Sequence, residues 1–183
     1  MIEGPGPAPG PFRVRQTGRA RSAILVVDMD WWRIIHVLSL VWLGAGLGAT
    51  YPLVLRAWAA KDVKYQLYCL VEAADNELQV LVPGAMATGL TGFFWAVAAE
   101  YNFFTDLWLT ALTVLYVLFY LVCLPLFGFG LRRAKEAALR AGEAGEVTPE
   151  LRIILDDRVP VAFGTLLVLS VPLLGWLAVF KPF

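Results

Sequence analysis

Of 183 residues, 59% are hydrophobic and 16% charged, too apolar a balance for an ordinary soluble domain, which is about half apolar. The 15 basic and 15 acidic side chains cancel and cluster between apolar stretches, so nothing points to a nucleic-acid or polyanion surface. Cys69 and Cys123 stand far apart with no C-x-x-C spacing and read as small hydrophobes, not as metal or redox groups.

In chain order, residues 1–28 come first: rich in Gly and Pro, with Arg13, Arg15, Arg19 and Arg21. The apolar run Ala23 to Val27 is too short for a signal-peptide core. A disordered extension is expected over 1–28. Met29-Asp30-Trp31-Trp32 begins where the membrane pattern begins, so Met29 is the expected natural start and 29–183 the membrane domain. The competing reading, a true cytoplasmic tail, would invert the topology.

A bilayer core of about 30 Å needs about 20 apolar residues in a helix. Four stretches satisfy this: residues 34–55, 78–99, 107–131 and 159–180, none containing Asp, Glu, Lys or Arg. No period-2 alternation suggests a barrel. The expected fold is an all-α integral membrane protein, a four-helix transmembrane bundle with kinked helices and short surface helices in the connectors. Trp31, Trp32, Trp58, Tyr101, Trp108 and Trp176 lie near the span ends, where amphipathic rings favour the headgroup layer. Pro83 and Pro125 predict kinks.

The first span opens with the only histidine, in WWRIIHVLSLVWLGAGLG. His36 follows Arg33 by one turn. A polar ring in a membrane helix is a functional candidate, and neutral imidazole ligates haem or copper. The opposing reading is an interfacial ring that hydrogen-bonds a neighbouring helix, favoured by its shallow depth. Gly44 and Gly48 form a G-x-x-x-G pair, and Gly84, Thr88, Gly89 and Gly92 give the second span a thin, hydroxyl-bearing surface. Both suit close helix packing or dimerisation, and spans one and two are expected to pack closely.

In the first connector, Val63, Leu67, Leu70, Val71 and Ala74 share a helix face, predicting a helix on the membrane surface. The third span, with its Tyr116, Tyr120 and Cys123 stripe expected to fill the core, continues into RRAKEAALRAGE and breaks around Gly142 and Gly145. A new helix starts at Thr148-Pro149. Met86, Cys123 and His36 are soft copper ligands by type, but on three different spans. Glu100 and Asp106 flank a short solvated turn.

Lys and Arg number three in the first connector, none in the second and six in the third. The positive-inside rule places connectors 56–77 and 132–158 in the cytoplasm. No phosphate loop, H-E-x-x-H or G-x-S-x-G is present. No span carries an embedded charge of the kind that proton relays use.

The run from His36 through Trp42 to Leu43-Gly44-Ala45-Gly46 resembles the opening helix of three bacterial membrane families. These are the copper-resistance D-type proteins, the J-type protoporphyrinogen oxidases and domain of unknown function 2269. Pro83-Gly84, Thr91-Gly92 and the terminal Val179-Phe180-Lys181-Pro182 are similar to the last of these, over Met29 to Phe183. That family implies a four-span membrane protein without an established activity. The oxidase resemblance implies haem at His36, with Arg33 and Trp42 holding propionate and ring; the copper-resistance resemblance implies copper uptake. The chain's own residues favour a non-enzymatic accessory or scaffold bundle in the bacterial inner membrane, surrounded by lipid and pairing with a second copy or a membrane-protein partner.

Overall fold

The computed structural model describes the backbone of residues 17–182 and the side chains of residues 31–182. The expectations of a disordered extension over 1–28 and of a start at Met29 fall outside the residues described in full. Among the described residues, seven α-helices and two π-helical segments make up four long rods. These are α1 (Thr17–Ala59); α2 (Val63–Asn76) running through a π segment (Glu77–Leu81) into α3 (Val82–Ala98); α4 (Leu107–Tyr116) running through a second π segment (Val117–Cys123) into α5 (Leu124–Ala144); and α6 (Pro149–Asp156) followed by α7 (Val159–Phe180). Each rod contains a stretch long and apolar enough to cross a membrane. The protein is an all-α, four-span integral membrane protein.

The two prolines expected to kink the rods sit at the first turns of α3 and α5, each directly after a π segment. Proline lacks an N–H and crowds the carbonyl four residues back. Inserting one residue as a wide π turn relieves that crowding without ending the helix. Both rods therefore continue through their prolines.

One expectation is corrected by the way α2 packs. Its apolar face is the one the spacing indicates, with Leu70 and Ala74 buried and Val63 and Leu67 packed on the core. What covers that face is protein, not membrane. No Gly or Pro interrupts residues 62–82, so α2 is the rigid continuation of the second span. The small side chains Ala73 and Ala74, buried with Ala134, Ala137, Ala138 and Ala141 of α5, let these rods approach closely. Of the two connector helices, α6 remains a short separate one, capped by Thr148, whose side chain accepts from Leu151 N at 3.3 Å. Upstream, α5 stops where Gly145 turns left-handed at φ 74°, a conformation that glycine adopts without strain.

At the end of the bundle that carries the basic connectors, called here the basic end, Lys135 Nζ donates to Asp75 Oδ1 at 2.6 Å and Trp58 Nε1 donates to Asp157 O at 3.1 Å. At the opposite end Lys181 Nζ donates to Tyr101 Oη at 2.8 Å. It also lies 4.6 Å and 4.5 Å from the ring centroids of Tyr101 and Trp108, a cation–π clamp that ties the last helix to the second connector.

Candidate functional site between the first and second spans

α1 and α3 run antiparallel at very short range because glycines interlock. A Cβ on Gly46 would stand 2.8 Å from Leu81 Cα, and one on Gly84 would stand 3.1 Å from Leu43 N. Further along the same seam, a Cβ on Gly92 would stand 2.9 Å from His36 Cε1. Gly92 thus leaves the space into which the imidazole lies.

Around that ring, His36 Nδ1 is 3.1 Å from Thr91 Oγ1, and the His36 and Trp95 rings are 5.5 Å apart. Thr91 Oγ1 donates to Ala87 O at 2.7 Å and Ser39 Oγ donates to His36 O at 2.7 Å. Ser39 Oγ also lies 2.9 Å from Thr91 Oγ1. Each hydroxyl carries one proton; that of Thr91 is directed at Ala87 O, and that of Ser39 is shared between His36 O and Thr91 Oγ1. Thr91 therefore meets the imidazole as an acceptor. Nδ1 carries the hydrogen, and Nε2 keeps a lone pair.

The other sequence candidates lie elsewhere. Arg33 is exposed and lines an outward groove with Ile34, Val37 and Leu38. Trp42 is exposed on a different side of α1, about 120° around the helix from His36 at 100° per residue. The structure does not gather His36, Arg33 and Trp42 into one pocket. Gly44 and Gly48 also face outward, and a Cβ on either meets nothing within 4 Å. Thr88 is buried on the seam, donating to Gly84 O at 2.9 Å. Met86 is 62% exposed while Cys123 is buried. Among the described residues, no three His, Cys, Asp or Glu side chains converge as a metal site would require. Tyr120 and Cys123 fill the core, and the Tyr116 and Tyr120 ring centroids lie 4.8 Å apart, the rings tilted by 31°.

Comparison with protein families adds one finding: a family described as predicted integral membrane protein, DUF2269, matches residues 31–182. The chain belongs to the DUF2269 family. No curated protein and no solved structure matches it.

This DUF2269 member also holds a residue that the sequence reading passed over. Glu77 directly precedes the apolar run of the second span and reads as the last polar residue of a connector. Because α2 continues that span, Glu77 is carried inside the bundle and is 1% exposed. It lies against Gly128, where a Cβ would stand 2.9 Å from Glu77 Cδ and 3.0 Å from Arg132 Nη2. The apolar stretch 78–99 itself carries no charged residue, but one carboxyl group, directly before it, is enclosed by the bundle. The available signal was the absence of any helix breaker between Asp62 and Pro83.

Proposed function

We propose that this protein is a non-enzymatic accessory or scaffold bundle of the bacterial inner membrane, assembling with a second copy of itself through the outward face of α1. One observation carries the reading: Gly44 and Gly48 are exposed and open, although Gly46, Gly84 and Gly92 are each pressed against a neighbour. The chain's own seam uses the glycine between the two members of the G-x-x-x-G pair and leaves the pair itself free. At 100° per residue, Val37, Val41, Gly44 and Gly48 lie within one 60° stripe. Such a surface admits another helix backbone closely, and in lipid that packing is what drives helices together. The excess of Lys and Arg in connectors 56–77 and 132–158 supports a cytoplasmic basic end.

The test is self-association in vesicles, read by energy transfer between two labelled populations. Gly44→Leu and Gly48→Leu are expected to lower transfer to the level of a random mixture. Gly175→Leu, at another open glycine on α7, is expected to leave it unchanged. Equal transfer in all variants would refute assembly through α1.

A second reading, a haem- or porphyrin-handling protein using His36, is favoured by the anchored Nδ1 and the lone pair on Nε2, the arrangement a ligating imidazole needs. The outward positions of Arg33 and Trp42 offer it no pocket for propionate and ring. An absorption spectrum of the purified protein beside His36→Ala separates the two: a Soret band lost in the variant favours the cofactor reading. Copper transport has less support, since Met86, Cys123 and His36 do not converge.

A further inference from the structure

Among the described residues three buried side-chain oxygen atoms have no hydrogen-bond partner; one, Gln66 Oε1, lies on α2, and the other two lie where the first and second rods pack. These two are Glu77 Oε2 and, on α1, Thr50 Oγ1. Their residues are 1% exposed each. In the antiparallel seam Leu43 lies against Gly84 and Gly46 against Leu81; continued one turn toward the basic end, the same register would set residue 50 opposite residue 77.

Thr50 differs from the other helical threonines with described side chains. Thr88, Thr91, Thr113 and Thr165 each donate to the carbonyl four residues back, the usual way for a membrane helix to satisfy a hydroxyl, and Thr110 donates to Phe103 O. Thr50 makes no such bond, although the carbonyl of Gly46 is in sequence reach. Its hydroxyl is left without a partner inside the bundle.

Among the described residues, Glu77 is the one buried acid. Its Oε1 side faces Gly128 and the Arg132 guanidinium, yet the two groups do not form an ion pair within 4 Å, as Asp75 with Lys135 and Arg140 with Glu150 do. Arg132 is exposed, and its Nε donates to Gly128 O at 3.2 Å. The charged groups around Glu77 are thus Arg132 from α5 and the Asp75–Lys135 pair one turn nearer the basic end. From α1, the facing group is the Thr50 hydroxyl. An ionised carboxylate with one free oxygen in such a place is costly, whereas a protonated carboxyl can donate from that oxygen. The π segment that begins at Glu77 widens the turn here, and such insertions recur at functional sites.

We propose that Thr50 and Glu77 form a proton-binding site inside the bundle, with Glu77 Oε2 taking the proton and one water bridging it to Thr50 Oγ1. The proton comes from water at the basic end and returns there, so Glu77 alternates between carboxyl and carboxylate with no other bond changing. Infrared spectroscopy of the full chain in phosphatidylcholine vesicles tests this. The expected result is a protonated-carboxyl band that persists after the surface carboxylates have ionised, moves in D2O, is lost in Glu77→Gln and shifts in Thr50→Val. If Glu77→Gln does not reconstitute, the Thr50→Val shift decides. Absence of a persisting carboxyl band, or a band that Thr50→Val leaves in place, overturns the site as proposed. So does a band removed by sodium chloride at constant pH, because the occupant would then be a metal cation.

Discussion

Gly46 of α1 lies against the main chain of Leu81 so closely that a single added methyl carbon would stand 2.8 Å from Leu81 Cα. Backbone cannot swing aside as a side-chain tip can, so Gly46→Ala must push the first two rods apart. Overpacking of this kind costs about 1–3 kcal/mol. Gly44→Ala, with nothing within 4 Å, is expected to leave the monomer's stability unchanged or to raise it by up to about 1 kcal/mol. Unfolding in mixed micelles, dilute enough to keep the chain monomeric, compares the two. Equal losses would show that the seam does not run through Gly46.

That contrast marks how far the sequence could be read. The four spans were legible because hydrocarbon demands long uninterrupted apolar runs: residues 159–180 coincide with α7, and the Thr148 cap and the Gly145 stop follow from local backbone chemistry. Gly-Ala-Gly-Leu-Gly, however, places glycines on more than one side of α1, and only the position of the second rod selects Gly46 for the seam. The α2 face was visible as a face, but periodicity carries no label for what covers it. Glu77 was hidden for the same reason. A carboxylate beside an apolar run looks like the end of a span until α5 is seen to pass alongside it.

The single histidine makes the hydrogen-bond accounting at the seam directly measurable. With Thr91 accepting, the imidazole is expected to carry its hydrogen on Nδ1, and nitrogen-15 spectra of histidine-labelled protein should show one protonated Nδ1 and one bare Nε2. Thr91→Val removes the acceptor 3.1 Å away, so the signal should move toward a mixture of tautomers. A protonated Nε2 in the unmodified chain would reverse the assignment and remove the observation that favours the cofactor reading.

Tyr120 and Ser170 offer an asymmetry. Tyr120 Oη is 3.0 Å from Ser170 Oγ, which itself donates to Leu167 O at 2.7 Å, so the tyrosine is the donor of the pair. Tyr120→Phe removes one bond and leaves Ser170 still bonded, a loss of about 0.5–1.5 kcal/mol. Ser170→Ala leaves a buried hydroxyl without an acceptor, and the expected loss is larger, about 1–3 kcal/mol. Ranking the two variants by unfolding midpoint checks the direction of the bond; the opposite order would mean that Tyr120 finds another acceptor.

Gly128 and Glu77 are coupled by volume as well as by charge. A methyl group at residue 128 would stand 2.9 Å from Glu77 Cδ and 3.0 Å from Arg132 Nη2, and Glu77 is enclosed too completely to move away. Gly128→Ala should therefore destabilise by about 1–3 kcal/mol. Glu77→Ala should destabilise as well, by leaving a void. The double variant places the new methyl into that void, so its loss should be smaller than the two single losses combined, with a coupling of about 0.5–3 kcal/mol. Gly130→Ala is the control, because its clash is with Pro160 Cγ at 2.8 Å and involves neither Glu77 nor Arg132. Combined with Glu77→Ala it should add to within about 0.5 kcal/mol. Coupling at 128 without coupling at 130 would locate the carboxyl between the second and third rods independently of its protonation. Additivity at both positions would mean that Glu77 points away from Gly128.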